Sequence, residues 1–295
     1  MMKLVYWFIY NPPVNYFLRS LCKLLAPLTG FQLPPSGIIK IELTERRSFR
    51  MATNQTSYVT NKLYYEGAQA FEYTHIFERL ITQCRTFVDV GANTGYYSLL
   101  AATSGPTQVY AFEPSPGPLY YLRLNVNLNH FSRQIRVFDV ALSDEQGSLT
   151  FYSTVNEKYN LEHHLGGIGS LIPSRKNQKP IKVSSIKLDQ FVEEEKMNYV
   201  DLIKIDTEGS EHLILKGATE TIKKYQPIII CETLFNKIES KLEQEMSKHG
   251  YVFLNHTPKG LKQVQTLQRQ EDDGVRDCFF VPPSKLDWVK SWIIT

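Results

Sequence analysis

Thr86-Phe-Val-Asp-Val-Gly-Ala-Asn-Thr-Gly95 decides the fold. An apolar run, Phe87 to Val90, breaks into Gly91-Ala92-Asn93-Thr94-Gly95, and Tyr96 to Ala102 then reads as a helix. Strand, glycine turn and helix open a nucleotide-binding α/β half-domain. Glycine lets the backbone turn sharply and approach a ligand closely, which a Cβ would prevent. A second run, Gln108 to Glu113, ends in an acid 18 residues beyond Gly95, placed to accept both hydroxyls of a ribose. The turn is D-x-G-x-N-x-G rather than G-x-G-x-x-G, so the cradle for a dinucleotide pyrophosphate is missing. A nucleoside without phosphates fits better. Asp89 can reach an ammonium group directly or through water, and S-adenosylmethionine combines that ammonium with a ribose and an adenine. The competing reading of the turn is purely structural.

Working outward, strands and helices alternate. Strands are predicted at 86–90, 108–113, 135–142, 200–206, 227–232, 251–255 and 278–281. Helices are predicted at 67–84, 95–104, 116–130, 187–196, 210–224 and 236–249. Such alternation implies an α/β fold with a parallel sheet covered on both faces. The last two strands lack a crossing helix and predict an antiparallel hairpin at the sheet edge. A strand pair near 149–152 and 181–183 flanks a long loop, 154–180, and long loops in compact domains are functional or mobile. The reading divides the chain into an N-terminal helical extension, 1–66, irregular and aromatic-rich outside its helix, and a domain over 67–295 with a lid insertion at about 148–186.

The chemistry-bearing residues gather at predicted strand ends. Asp139 and Ala141 close the third strand, where an acid and backbone groups could meet an adenine; the turn Ser143 to Gly147 competes for the same acid. The run Ile203-Lys-Ile-Asp-Thr-Glu-Gly-Ser-Glu211 delivers Asp206 and Glu208 to the carboxyl end of a strand, where ligands bind in open α/β sheets. Glu211 reads as a helix-start acid. Glu232 ends the next strand. Clustered acids raise one another's pKa, giving a general base, or hold a divalent cation. Asp206, Glu208 and Glu232 are therefore the catalytic candidates, with the metal question open. His163, His164 and His212 are base candidates by chemistry alone, against the commoner roles of surface and packing histidines.

The 295 residues are 42% hydrophobic, enough for one large core, and the net charge of +3 gives no reason to expect nucleic acid. The basic run Arg175 to Lys179 reads as a solvated loop. Cys22, Cys84, Cys231 and Cys278 are scattered and form no C-x-x-C, so reduced structural thiols and a cytoplasmic setting are expected. No apolar run is long enough to span a membrane, and no small-residue cleavage site suggests a signal peptide. Val14, Phe17, Leu18, Leu21 and Leu25 form an apolar stripe at helical spacing. The plainer reading packs this helix on the domain or on a partner copy. The sharper one lays residues 1–30 on a membrane, with Trp7, Tyr10, Arg19 and Lys23 at the interface.

Together, Val88 to Ser98, Phe112-Glu-Pro114, Ala141 to Asp144, Leu188 to Phe191 and Ile203 to Glu211 resemble the FkbM family of S-adenosylmethionine-dependent methyltransferases, over about Glu72 to Glu232. The resemblance implies a class I methyltransferase fold with a seven-stranded sheet in the order 3-2-1-4-5-7-6. It implies that Asp89, Gly91, Asn93, Gly95 and Glu113 hold the cofactor, and that a hydroxyl of a sugar or natural product is methylated. Gly169-Ser170-Leu171 resembles the family's small-residue motif in the lid. Two rival readings are a nicotinamide-dependent oxidoreductase and a non-catalytic membrane-associated scaffold.

Overall fold

The computed structural model describes residues 2–154, 161–165 and 178–294. Gly169-Ser170-Leu171 and the Arg175-Lys176-Asn177 part of the basic run fall outside them. In chain order the strands are β1 (Gly37–Glu42), β2 (Ser48–Thr53), β3 (Thr86–Val90), β4 (Gln108–Phe112), β5 (Ile135–Phe138), β6 (Ala141–Leu142) and β7 (Gly147–Thr154). They continue with β8 (Gln178–Ile186), β9 (Leu202–Ile205), β10 (Ile228–Glu232), β11 (Val252–Thr257), β12 (Gly260–Val264), β13 (Asp277–Val281) and β14 (Ile293–Ile294).

The main sheet has nine strands in the order β14-β12-β11-β13-β10-β9-β3-β4-β5. It is two strands wider than the resemblance implies, because β12 and β14 extend the edge. From β5 to β10 the pairing is parallel. β13 runs antiparallel to both β10 and β11. The predicted terminal pair is present as β11 and β13, with β13 between β10 and β11, but β12 and β14 take the edge that the pair was expected to close. Successive side chains of a strand leave opposite faces. Accordingly Ile228 and Ile230 join one apolar cluster with helices Thr74–Ile81 and Tyr96–Ser104, while Ile229 and Cys231 join the other with helices Leu188–Glu194, Glu211–Lys216, Thr219–Tyr225 and Glu239–Met246. A strand buried on both sides reads as the unbroken apolar run seen at 228–231.

Three expectations are corrected. The third strand ends at Phe138, and Ala141–Leu142 cross to a separate three-stranded sheet, β6-β8-β7. The helix expected over 210–224 is two helices. It breaks at Gly217, where a Cβ would lie 2.1 Å from the Ser143 carbonyl oxygen, and Asp189 caps the second piece by accepting from the backbone N–H of Glu220 (3.0 Å) and Thr221 (2.7 Å). Residues 2–66 are helical as expected but hold more regular structure than a helix in an otherwise irregular segment. They form helices Met2–Ile9, Pro12–Thr29 and Tyr58–Glu66 and the hairpin β1–β2.

Ile39, Ile41, Phe49 and Met51 of that hairpin share a core with Phe77, Leu99 and Phe87, so the packing draws no line at residue 66. Buried Asn125 clasps the join. Its Oδ1 accepts from Ala52 N–H at 2.7 Å and its Nδ2 donates to the Thr94 carbonyl at 2.9 Å. Helix Pro12–Thr29 docks by its polar side: Asn15 and Arg19 are buried, and the Arg19 guanidinium donates to the carbonyls of Ser36 (2.8 Å) and Ile38 (2.9 Å). Its apolar stripe points away, with Phe17, Leu21 and Leu25 exposed. The stripe therefore does not pack on the domain, and Arg19, being buried, does not stand at a membrane interface. All four cysteines are free; Cys84, Cys231 and Cys278 are buried, while Cys22 is half-buried on the docked helix.

Candidate active site

The glycine turn is built on the end of β4. The amides of Gly91 and Ala92 both donate to the Phe112 carbonyl at 3.0 Å. Gly91 has φ +73, and a Cβ there would lie 2.0 Å from the Asp206 carbonyl oxygen. The turn after β3 and the loop after β9 thus meet over one missing side chain. Gly95 also has positive φ, but a Cβ there would meet Leu122 at 2.6 Å. It serves helix packing and does not line the cavity.

Beneath the strand ends lies a cavity of about 630 Å³, within the usual range for small-molecule sites. Gly91, Asn93, Glu113 and Ala141 line it, as do Asp206, Glu208 and Glu232. Glu113 is buried and held rigidly: Oε2 accepts from Asn93 N–H (2.9 Å) and Oε1 from Ser115 N–H (2.8 Å). Burial lifts its pKa to about 7, against the pull of those two amides. Phe112, Val140, Ala141 and Leu142 supply an apolar wall beside it.

Besides Gly95, two further expected cofactor residues are placed elsewhere. Asp139 is exposed and pairs with Arg123 at 3.2 Å. It is displaced because the strand ended one residue earlier and the chain turned toward the second sheet. Asp89 is buried below the turn, where it accepts from Ser98 Oγ at 2.6 Å and stands 3.8 Å from Lys204 Nζ. It shapes the cavity floor without lining the cavity.

The acid half is larger than the sequence revealed. Oxygens of Asp206, Glu208 and Glu232 lie within 4.8 Å of one another. Glu72 and Asp277 line the same cavity. Asp277 is the cross-strand partner of Glu232, and Glu72, at φ +45, accepts from the Tyr97 hydroxyl at 2.8 Å. Burial first, and then neighbouring carboxylates, drive the pKa values of Glu72, Glu232 and Asp277 upward, Glu72 to about 7 and Glu232 to about 10. Buried Lys204 is the counter-charge, 3.2 Å from Asp206 Oδ2. Glu211 turns back to accept from the amides of Thr207 (2.8 Å) and Gly209 (3.0 Å), which fixes the loop carrying Glu208 at φ +59. Of the histidines, His164 lines the cavity, His163 stacks on Tyr120 at 4.0 Å, and His212 is half-buried outside the cavity. Residues 161–165 lean on the cavity rim: Asn54 Nδ2 donates to the His163 carbonyl and Leu165 N–H donates to Thr56 Oγ1.

Glu72 and Asp277 had weak sequence signals. Glu72 precedes the turn motif on an unremarkable stretch, and Asp277 lies just before the predicted strand 278–281. Register is the information that joins Asp277 to Glu232.

A parallel core with an acid-lined cavity at its carboxyl rim defines an enzyme of the nucleoside-binding α/β class. The model of the methyltransferase FkbM domain matches residues 89–253, and the chain belongs to that family of methyltransferases. This sets aside the oxidoreductase reading. The chain is 29% identical over 148 residues to the 2-O-methyltransferase NoeI of Sinorhizobium fredii, covering 46% of this chain and 58% of that protein. It is 30% identical over 154 residues to the 31-O-demethyl-FK506 methyltransferase FkbM of Streptomyces tacrolimicus, covering 45% and 58%. It is also 30% identical over 173 residues to the AMB antimetabolite synthetase AmbE of Pseudomonas aeruginosa, covering 48% of this chain and 8% of that protein. These alignments therefore span just over half of the first two relatives and a small fraction of the third.

Proposed function

We propose that this chain is a class I methyltransferase that takes S-adenosylmethionine and methylates a hydroxyl of a sugar, glycan or natural product. The observation that carries this reading is that Glu113 with the Gly91 turn and the acid group of Asp206, Glu208 and Glu232 open into one cavity. The residues fit the cofactor. Glu113 is aimed by two backbone amides and can accept ribose hydroxyls, Gly91 leaves room against the backbone, and Ala141 and Leu142 offer an apolar wall to adenine. When bound, the cofactor supplies a methyl group on a sulfonium.

The chain's own residues do the rest. Holding the acceptor oxygen in line is the main contribution. Glu232 retains a proton and donates a hydrogen bond to the acceptor. Asp206, paired with Lys204, receives the hydroxyl proton. Proton transfer of this type contributes roughly 10²–10⁴ in rate. Two of the relatives are named for O-methylation, which supports an oxygen acceptor.

Calorimetric titration with S-adenosylhomocysteine and with a nicotinamide dinucleotide is the test. Binding of the first alone, weakened at least tenfold in Glu113→Gln, is expected. No binding of the nucleoside refutes the cofactor assignment. Transfer of a labelled methyl group to glycan and metabolite extracts then finds the acceptor, with Asp206→Asn expected to lose turnover while keeping nucleoside affinity.

A further inference from the structure

Sixteen large apolar or aromatic side chains stand exposed among the described residues, and twelve of them lie between Leu4 and Ile38. On helix Pro12–Thr29, Phe17, Leu21, Leu24 and Leu28 recur at helical spacing on one face, with exposures of 70, 47, 75 and 86%. The opposite face holds Asn15 and Arg19, whose Nδ2, Nη1 and Nη2 donate to the carbonyls of Pro34, Ser36 and Ile38. The helix is thus locked in an inverted orientation, polar side down and apolar side out. Rolling it over would strand a buried guanidinium and several carbonyls without partners. Large exposed apolar patches on a folded chain mark an interaction surface.

We propose that this face, together with helix Met2–Ile9, seats on the surface of an anionic lipid bilayer. Charge chooses the occupant. The first acidic residue of the chain is Glu42, so residues 1–41 carry only cationic side-chain charge; Lys3 is exposed, and Lys23 is exposed at the flank of the docked side, where it donates to the Tyr64 carbonyl. Two copies joined through this segment would bring together two stretches that carry cations and no acid before Glu42. Anionic headgroups neutralise them. Exposed Trp7 and Phe8 and half-buried Tyr6 and Tyr10 supply the aromatic side chains that favour the headgroup level. Among the described residues no helix is long and apolar enough to cross a membrane, so the segment lies on the bilayer. This surface is independent of the methyl-transfer reading.

Flotation of the full chain with phosphatidylcholine vesicles containing about one third phosphatidylserine tests it. The expected result is co-flotation that drops at least tenfold in the combined variant Leu21→Glu, Leu24→Glu, Leu28→Glu, and falls with added salt. The melting temperature should be unchanged, because these side chains are exposed. A blue shift of tryptophan emission on vesicles, lost in Trp7→Phe, provides a readout in chains with the native helix face. Failure of the unaltered chain to float or to shift overturns the proposal. So does a lipid-free dimer that the combined variant merely dissociates.

Discussion

Replacing Gly91 with alanine drives a methyl group into the backbone of the loop after β9. Two costs combine there, and the structure offers a control for each. The left-handed conformation, φ +73, disfavours an L side chain by about 1–2 kcal/mol. Loss of unfolded-chain entropy offsets about 0.4–1 kcal/mol of that. The Asp206 carbonyl oxygen would be 2.0 Å from the new Cβ, where ordinary contact begins at 3.4 Å, so backbone must retreat by about 1.4 Å. Overpacking of that kind costs about 1–3 kcal/mol. Gly250→Ala isolates the first cost, since it has φ +69 and open space. Gly217→Ala isolates the second, since it has φ −77 and the Ser143 carbonyl oxygen at 2.1 Å. Gly91→Ala should therefore lose about 2–4 kcal/mol, or roughly 4–10 °C in melting temperature. Gly250→Ala should lose no more than about 1.6 kcal/mol, and Gly217→Ala should fall between them. Thermal denaturation of the three variants is the assay. A Gly91→Ala protein that melts with Gly250→Ala would show that the two loops do not meet as described.

Glu113 predicts a pH dependence. Its folded pKa of about 7 exceeds its ordinary value of 4.5, so the folded state favours the proton. That stability is complete below about pH 4.5 and is lost as pH rises through 7, by at most about 3 kcal/mol. Denaturation of the ligand-free protein should show this slope, and Glu113→Gln should reduce it, the remainder belonging to Glu72, Glu232 and Asp277; an undiminished slope would remove Glu113 from it. Lys204→Met should cost about 3–5 kcal/mol, because Asp89 is left buried without its cation; chemical denaturation showing less than about 1 kcal/mol would count against the pairing. Arg19→Leu should free helix Pro12–Thr29, read as faster amide exchange in residues 12–40 with the sheet unaffected. Unchanged exchange would mean that the carbonyl contacts are dispensable.

The strand–turn–helix at 86–104 was legible because positive-φ glycines and an apolar run are local signals. Glu113, Asp206, Glu208 and Glu232 were legible because parallel strands deliver their ends to one rim. Asp139 was misplaced because nothing local distinguishes a strand that ends at Phe138 from one that continues to Leu142. Glu72 and Asp277 depend on which strand lies beside which, a long-range choice. Arg19 shows a different limit. Helical spacing reveals that one side is apolar, but which side faces the protein depends on carbonyls nineteen residues away at Ile38.

The unequal depth of the four thiols has a practical consequence. Cys231 and Cys278 are sealed in the sheet, and burial pushes Cys84 up to about 12, so none of them presents a thiolate to a reagent near neutral pH. Cys22 alone stands partly open. A maleimide dye should therefore tag the native polypeptide once, on its N-terminal layer, giving a fluorescent reporter of that layer's surroundings without any engineered residue.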